Sequence, residues 1–270
     1  MILVGATRKV PRFGARYILE SQIRGMLKFF WLIAAMAILN PLLYLISFGI
    51  GVGSLISSHI GPHGIDGVSY LIFIAPALLA ASAIQSAMDE TVFSTLEGFK
   101  WRKLFFGMNA TPQTGNTIAG GVFLAAMVRT FIGVSVYAAI LYFFGAMNSP
   151  HAYLAIPIAI FAGASFGAVM LAFASYVHNE DLFLTIIGRF LIGPMFLFSG
   201  TFYPLKSLPS VLQIFGWLSP LWHATELGRY ATYGHRISVT MVIVHFAFLL
   251  VMLVFGLFFG FRQFSRRLAK

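Results

Sequence analysis

Residues 191–229 read LIGPMFLFSGTFYPLKSLPSVLQIFGWLSPLWHATELGR, and an ordinary membrane-spanning helix does not end in this way. The apolar run stops at Ser199-Gly200, and prolines follow at positions 204, 209 and 220. Each proline lacks a backbone N–H and disfavours helix at the preceding residue. Irregular backbone is tolerated at membrane depth only inside protein or along a wet cavity. The stretch therefore predicts a span followed by a re-entrant helical segment at the outer face, 203–229, which carries a charged pair, Glu226 and Arg229.

The composition of the whole chain agrees with a membrane protein. Of 270 residues, 59% are hydrophobic and 10% are charged, and the mean hydropathy is +0.87, which is too apolar for a water-soluble globule. Since about 20 apolar residues cross the hydrocarbon, the sequence predicts an all-α integral membrane protein with six spans. They are 29–51, 70–88, 118–144, 153–176, 182–198 and 238–261.

Lysine and arginine sort to one side of these spans. They are concentrated in the N-terminal arm, in the loop after the second span and at the C-terminus, whereas the loops 52–69 and 145–152 have none. The positive-inside rule then places both termini in the cytoplasm. The formal charge of +10 is interpreted as this topological signal and as attraction to anionic lipid, in preference to nucleic-acid binding.

Residues 12–28 have a helical pattern ahead of the first span. Leu19, Ile23 and Met26 share one face, while Arg16, Glu20, Arg24 and Lys28 fall largely off it. This pattern favours a helix that lies along the cytoplasmic membrane surface. The alternative is a simple extension of the first span.

The cytoplasmic loop after the second span contains a mixed charged and apolar stretch, 97–108. Its predicted interaction residues are Glu97, Phe99, Lys100, Trp101, Arg102, Lys103, Leu104 and Phe105. A short helix of this kind suits a groove on a cytosolic partner. An aromatic belt at the membrane interface explains the same residues equally well.

Two arginines lie inside predicted spans, Arg129 in the third and Arg189 in the fifth. Because a charge in the membrane is costly, each is expected to have a partner or to face water. Glu180 and Asp181 precede the fifth span and are candidates to pair with Arg189 or with the basic cytoplasmic loop. With the second span ending before Asp89, the spans contain no carboxylate, so no proton relay is expected.

Two motifs for hydrolysis are missing from the sequence: it has no Walker lysine loop and no HExxH. His59, His63 and Asp66 are the candidates for a metal site, but Gly61-Pro62 interrupts their spacing, and solvated loop residues are the favoured interpretation. The small-residue pairs Gly163/Gly167 and Gly256/Gly260 suit close helix packing within the bundle or between two copies.

The order of these features resembles the membrane subunits of type 2 ATP-binding-cassette exporters. The resemblance rests on the MNATP loop, NEDLFLTIIGRF, GPMFLFSGTFYPLKSLPSVLQ and SPLWHATELGR, and covers nearly the whole chain. SFGIGVG, YLIFIAP and MNATP look closest to the branch of nodulation lipo-oligosaccharide exporters, which stands beside daunorubicin-type drug exporters.

The resemblance implies a bacterial inner-membrane permease with no cofactor or nucleotide site of its own. Two such subunits, from this chain or a paralogue, would join two cytosolic ATPases that bind ATP and Mg. It also implies that 12–28 is a connecting helix and that 97–108 includes the coupling helix. The aromatic residues Phe196, Phe198, Phe202 and Tyr203 are candidates for the outer gate or substrate contacts. The substrate would be a lipid, a glycolipid or lipo-oligosaccharide, or a hydrophobic drug; the alternatives are a secondary transporter or channel working alone, or a membrane enzyme using His59, His63 and Asp66.

Overall fold

The computed structural model describes residues 13–60, 64–147, 149–177 and 180–269. Six helices are long and apolar enough to cross a membrane, and they are called spans 1 to 6. Their bounds are Phe30–Ile56, Tyr70–Trp101, Gly115–Phe143, Ala152–Tyr176, Glu180–Phe198 and Val239–Leu268. Within the described ranges no strand forms, and one isolated bridge pairs Ile65 with Val68. The prediction of an all-α membrane protein with six spans is confirmed.

Shorter helices lie outside the spans. They are α1 (Gly14–Leu27), α2 (Leu104–Ala110), α3 (Ser210–Trp217) and α4 (Pro220–Tyr233). Helix α1 lies within the stretch 12–28 for which a helix was predicted, of which Arg12 is outside the described residues. Its role as a connecting helix stays a prediction. Its position along a membrane surface stays a prediction.

Span 2 is longer than the sequence analysis predicted, and that boundary was wrong. The helix does not end at Met88 but continues through Asp89 and Glu90 to Trp101. The carboxylate of Glu90 is tolerated inside the bundle because Arg129 of span 3 donates a hydrogen bond to it, at 2.8 Å. The spans therefore contain carboxylates, contrary to the expectation.

The stretch 97–108 is divided between two helices. Glu97–Trp101 forms the last, wider turn of span 2, and Lys103 has a left-handed backbone (φ 53°) just before α2 begins at Leu104. A non-glycine residue in that conformation cannot continue a right-handed helix. The expected single helix over 97–108 is therefore corrected to the end of span 2, a sharp break, and α2.

Glycines set the close packing at the centre of the bundle. A Cβ added at Gly163 of span 4 would lie 2.7 Å from the carbonyl oxygen of Ala83 in span 2. A Cβ at Gly256 of span 6 would lie 2.5 Å from the backbone nitrogen of Val169 in span 4. Of the two uses considered for these small-residue pairs, the structure shows packing within the bundle.

Spans 1 and 5 lie at the edge of this core and are irregular. Each contains a π-helical stretch, Leu45–Val52 in span 1 and Ile187–Ile192 in span 5. Among the 18 consecutive residues that are most apolar in each helix, 17% are buried in span 1 and 11% in span 5. Wider turns of this kind occur frequently at functional sites, and both helices border the cavity described below.

The segment between spans 5 and 6 folds as two short helices. Gly200 adopts a left-handed backbone (φ 68°) where span 5 stops, as the Ser199-Gly200 break predicted. Ser219 caps α4 by accepting a hydrogen bond from the backbone N–H of Leu221, and Gly234 (φ 73°) ends it in a left-handed C-cap. Helix α4 packs on spans 2, 4 and 6, with Gly228 against Pro76 of span 2.

Candidate functional site

A cavity of about 710 Å³ lies between α1 and spans 1, 2, 3 and 5. This volume is within the usual range for small-molecule sites. Most of its wall is apolar, with residues such as Ile33, Leu78, Val136 and Ile192. Spans 1 and 5, the two irregular helices, both line it, and they meet where Tyr44 lies beside Phe196.

Four polar side chains enter this cavity from one face of span 2. Ser82, Gln85, Ser86 and Asp89 all line it, and their spacing of three, four and seven residues places them along one stripe of a helix. Gln85 donates a hydrogen bond from Nε2 to Oδ1 of Asp89, at 2.8 Å. The cavity is therefore an apolar space with a polar stripe that ends in a carboxylate.

Arg129 also lines the cavity, and its charge is matched. Its Nη1 lies 2.8 Å from Oε2 of Glu90, whose other oxygen accepts a hydrogen bond from Ser94 at 2.6 Å. The partner expected for Arg129 is thus Glu90. Arg189 differs: it is exposed on span 5, and in the described part of the chain no ion pair includes it.

An aromatic cluster lies at the end of the cavity that faces the predicted outer side. Phe202 packs on Phe48 and Phe196, with ring centroids 4.6 and 5.3 Å apart, and Phe196 reaches Tyr44 at 6.0 Å. Tyr44 and Phe196 line the cavity. Two of the four predicted gate residues, Phe196 and Phe202, are therefore brought together here.

The other two predicted gate residues lie elsewhere. Phe198 packs against Phe215 of α3, with centroids 6.0 Å apart. Tyr203 donates its hydroxyl hydrogen to the carbonyl oxygen of Leu197, at 2.6 Å. Both side chains tie the corner after span 5 to its neighbours and do not line the cavity.

Arg229 of α4 is 1% exposed and joins three parts of the fold. Its Nη2 donates to the carbonyl oxygen of Gly200 at 2.8 Å, and its Nη1 lies 3.1 Å from Oε1 of Glu226. Its guanidinium carbon stands 3.8 Å over the ring of Phe73 in span 2. The predicted Glu226–Arg229 pair exists, and it fixes the corner after span 5 to span 2.

His235 extends this network to the loop between spans 1 and 2. Its Nδ1 lies 3.1 Å from Asp66 and its Nε2 lies 3.4 Å from Glu226. The hydrogen bond with Glu226 raises the pKa of His235, against the effect of its burial. Burial acts to raise the pKa of Glu226, but the hydrogen bond from His235 and the charge of Arg229 outweigh it, and that pKa is lowered. The network therefore favours a protonated histidine between two carboxylates.

The proposed metal ligands are not brought together. Asp66 pairs with His235, His59 donates from Nδ1 to the carbonyl oxygen of Leu55 at 2.8 Å, and His63 lies outside the described residues. In the described ranges no group of three metal-ligating side chains occurs. A buried pair that sequence reasoning missed joins α4 to span 6, with Nδ1 of His223 and Nδ1 of His245 2.8 Å apart.

The predicted coupling residues divide into an exposed and a buried set. Phe99 and Phe105 are 3% and 1% exposed and pack on Phe264 at the end of span 6, which joins the loop firmly to the bundle. Trp101 and Leu104 are 49% and 44% exposed. Arg102, Lys103 and Phe106 are also exposed. These five exposed residues are called the coupling surface.

Ion pairs hold this region to its surroundings. Lys100 pairs with Glu180 at the start of span 5, so the basic loop and not Arg189 is the partner of that carboxylate. Arg102 Nη1 lies 2.9 Å from Oε1 of Glu97. The Lys100–Glu180 pair connects the end of span 2 to a helix that lines the cavity.

Comparison with known proteins gives a consistent result. The family profile described as ABC-2 type transporter matches residues 15–233. Nodulation protein J of Neorhizobium galegae is 25% identical over 239 residues, covering 86% of this chain and 85% of that protein. Nodulation protein J of Rhizobium leguminosarum bv. trifolii is 28% identical over 248 residues, with 89% and 90% covered. The inner membrane transport permease YadH of Escherichia coli K12 is 26% identical over 224 residues, with 80% and 81% covered.

Proposed function

This chain belongs to the ABC-2 type transporter family, the membrane subunits of ABC exporters, and from that premise we propose that it forms the translocation path for an amphipathic or apolar substrate. The substrate class comprises lipids, glycolipids or lipo-oligosaccharides, and hydrophobic drugs. The observation that carries this proposal is the cavity of about 710 Å³, which has apolar walls and one polar stripe. An apolar pocket with a few convergent polar groups is the usual form of a small-molecule site.

Energy would come from a cytosolic ATPase that binds ATP and Mg and docks on the coupling surface. This surface offers apolar area at Trp101, Leu104 and Phe106 beside the cations Arg102 and Lys103. Aromatic and arginine side chains are favoured at the centre of protein interfaces. Because Phe99 and Phe105 fix this region to span 6, and Lys100 fixes it to span 5, a push on α2 would reach helices of the bundle.

The transport cycle would alternate between two packings of the bundle. Nucleotide binding by the ATPase favours one packing by differential contacts. The cluster around Phe196 and Phe202 would act as the outer gate, with α3 and α4 re-entering from the outer face. The wide turns in spans 1 and 5 are where these helices would rearrange.

The assembly would contain two permease subunits and two ATPases in a bacterial inner membrane. The largely exposed faces of spans 1 and 5, which meet beside the cavity, support a second permease copy or a paralogue at this edge. Both termini would lie in the cytoplasm, according to the distribution of lysine and arginine.

A secondary transporter working alone is the second candidate, and one observation favours it. Asp89 lies within the helix of span 2 and lines the cavity, so an acid suited to proton coupling is present after all. Membership of an ABC exporter family supports the first candidate instead.

The proposed function is tested by co-expression with a candidate ABC ATPase. Wild-type permease is expected to co-purify with the ATPase. The Trp101→Ala/Leu104→Ala variant is expected to lose most of it, because both side chains are exposed on the coupling surface. Phe143→Ala is the matched control, since Phe143 is 84% exposed at the opposite end of the bundle. Retention of the ATPase by the double variant, or loss of it in the control, would contradict the assigned surface.

A further inference from the structure

The charges beside the cavity are not balanced. Asp89 and Arg129 line it, and Arg129 is held by Glu90. The carboxylate of Glu90 is matched on both oxygens, by Arg129 and by Ser94. Asp89, by contrast, accepts a hydrogen bond from Gln85 on Oδ1, and a neutral amide does not cancel its charge. With both carboxylates ionised, Asp89, Glu90 and Arg129 carry one net negative charge, and Asp89 is the carboxylate of the three that has no ion pair among the described residues.

The position of this charge along the cavity is informative. Asp89 lies at one end of the polar stripe, which runs through Ser86 and Gln85 to Ser82. The wall of span 2 is apolar beyond Ser82, toward Leu78, roughly 16 Å from Asp89 along the helix at 1.5 Å per residue. From Tyr70 to Asp89 the helix rises about 28 Å. In a hydrocarbon core about 30 Å thick this distance places Asp89 near the inner boundary. The cavity is thus charged at its inner end and apolar toward the aromatic cluster.

We propose that Asp89 is the headgroup-recognition residue of this cavity, and that it selects amphiphiles with a cationic, amine-bearing head and an apolar tail. This inference rests on the proposed function. The amine lies at Asp89, where Gln85 and Ser86 supply further hydrogen-bond groups, and the tail lies along the apolar wall. An anionic head is disfavoured, because it would face Asp89 and would have to displace Glu90 from Arg129.

The test uses equilibrium binding to the permease–ATPase complex in lipid nanodiscs. Three fluorescent amphiphiles carry the same alkyl tail and differ in the head, which is a primary ammonium, a hydroxyl or a sulfate group. Wild type is expected to bind the ammonium form about tenfold more tightly than the sulfate form, because one charge pair in a partly desolvated site has that effect or more. The hydroxyl form is expected to lie between them.

Variants then separate the charge from the fold. Asp89→Asn is expected to weaken binding of the ammonium form about tenfold and to leave the hydroxyl form nearly unchanged. Asp89→Glu keeps the charge and is expected to keep the preference. Asp181→Asn removes an exposed carboxylate that does not line the cavity, and it is expected to bind all three amphiphiles as wild type does.

A preference for ammonium that survives in Asp89→Asn would overturn the assignment, and so would equal binding of the ammonium and sulfate forms by wild type. ATP hydrolysis by the same complex is measured in parallel. Coupled hydrolysis without a headgroup preference refutes the role of Asp89 and leaves the exporter function standing. A preference that depends on Asp89 in a permease that binds no ATPase supports the site and contradicts the exporter function.

Discussion

Replacing Arg229 by methionine is expected to destabilise the fold strongly, since this arginine connects α4, the corner after span 5 and span 2. Methionine preserves much of the volume, so the variant tests charge and hydrogen bonding more than packing. The Arg229 and Glu226 side chains are 2% and 13% exposed. Removing one partner of a buried ion pair costs about 3–5 kcal/mol. Here the loss also includes the hydrogen bond to Gly200 and the contact with Phe73, and Glu226 keeps only His235 as a partner among the described residues.

The measurement is thermal unfolding of purified protein in a mild detergent. For a chain of this size each kcal/mol shifts the midpoint by roughly 2–4 °C, so the expected loss is roughly 6–20 °C. Arg229→Lys keeps the charge but cannot reach Gly200, Glu226 and Phe73 with one planar group, and it is expected to lose an intermediate amount. Arg236→Ala removes an exposed arginine seven residues away and is expected to change stability by less than about 0.5 kcal/mol.

A double variant tests whether the loss of stability comes from the unpaired carboxylate. In Arg229→Met/Glu226→Gln no buried carboxylate is left without its arginine, so this protein is expected to be more stable than Arg229→Met alone. The account of Arg229 would be refuted by a single variant within about 1 kcal/mol of wild type. It would also be refuted by a double variant that loses as much as the sum of the two singles.

Further predictions concern the pH response, helix packing and coupling. The pKa of His235 is raised above its ordinary 6.5 by Glu226, so the stability that the protonated histidine contributes is complete below pH 6.5 and is lost as pH rises through the raised value. The difference in melting midpoint between wild type and His235→Gln should therefore shrink from acid to alkaline pH. A difference that stays constant with pH would contradict this prediction. Gly121→Ala is expected to cost about 1–3 kcal/mol by overpacking, because its Cβ would meet Ile18 at 2.4 Å, whereas Gly120→Ala has its nearest neighbour at 3.7 Å and should melt as wild type does. Lys100→Glu and Glu180→Lys should each reduce substrate-stimulated ATP hydrolysis, and the charge-swapped double variant should recover it; no recovery would show that the pair is not the link between span 2 and span 5.

The number and order of the spans could be predicted from sequence because hydropathy reports directly on the solvent that each helix meets. The break after span 5 was equally accessible, since Ser199-Gly200 and the three prolines act through local backbone geometry. The Glu226–Arg229 pair also followed from local spacing, because residues three apart are neighbours on a helix.

The end of span 2 could not be located in this way. A carboxylate is costly in a membrane unless a partner is supplied, so the sequence favours a span that ends before Asp89 and Glu90. The partner, Arg129, is 39 residues away and is brought to Glu90 by the packing of spans 2 and 3. The spacing of Ser82, Gln85, Ser86 and Asp89 was a usable signal, because it predicts one polar face extending through the supposed helix end.

Side-chain exposure was the second property that sequence left open. The sequence predicts equal coupling roles for Phe99, Trp101, Leu104 and Phe105. In the structure, Phe99 and Phe105 are buried against span 6. The left-handed backbone at Lys103 rotates α2 relative to the end of span 2, so a single helical register does not describe both halves. Loss of binding in Phe105→Ala would therefore report on folding and not on the ATPase interface.

The most direct test of the exporter function is transport in proteoliposomes that contain the permease with or without its ATPase. The account predicts that a fluorescent single-chain amphiphile crosses the membrane in the presence of ATP and Mg when both subunits are present, and that the permease alone is inactive. Movement driven by a proton gradient through the permease alone, and abolished in Asp89→Asn, would contradict the exporter function and establish the secondary transporter in its place.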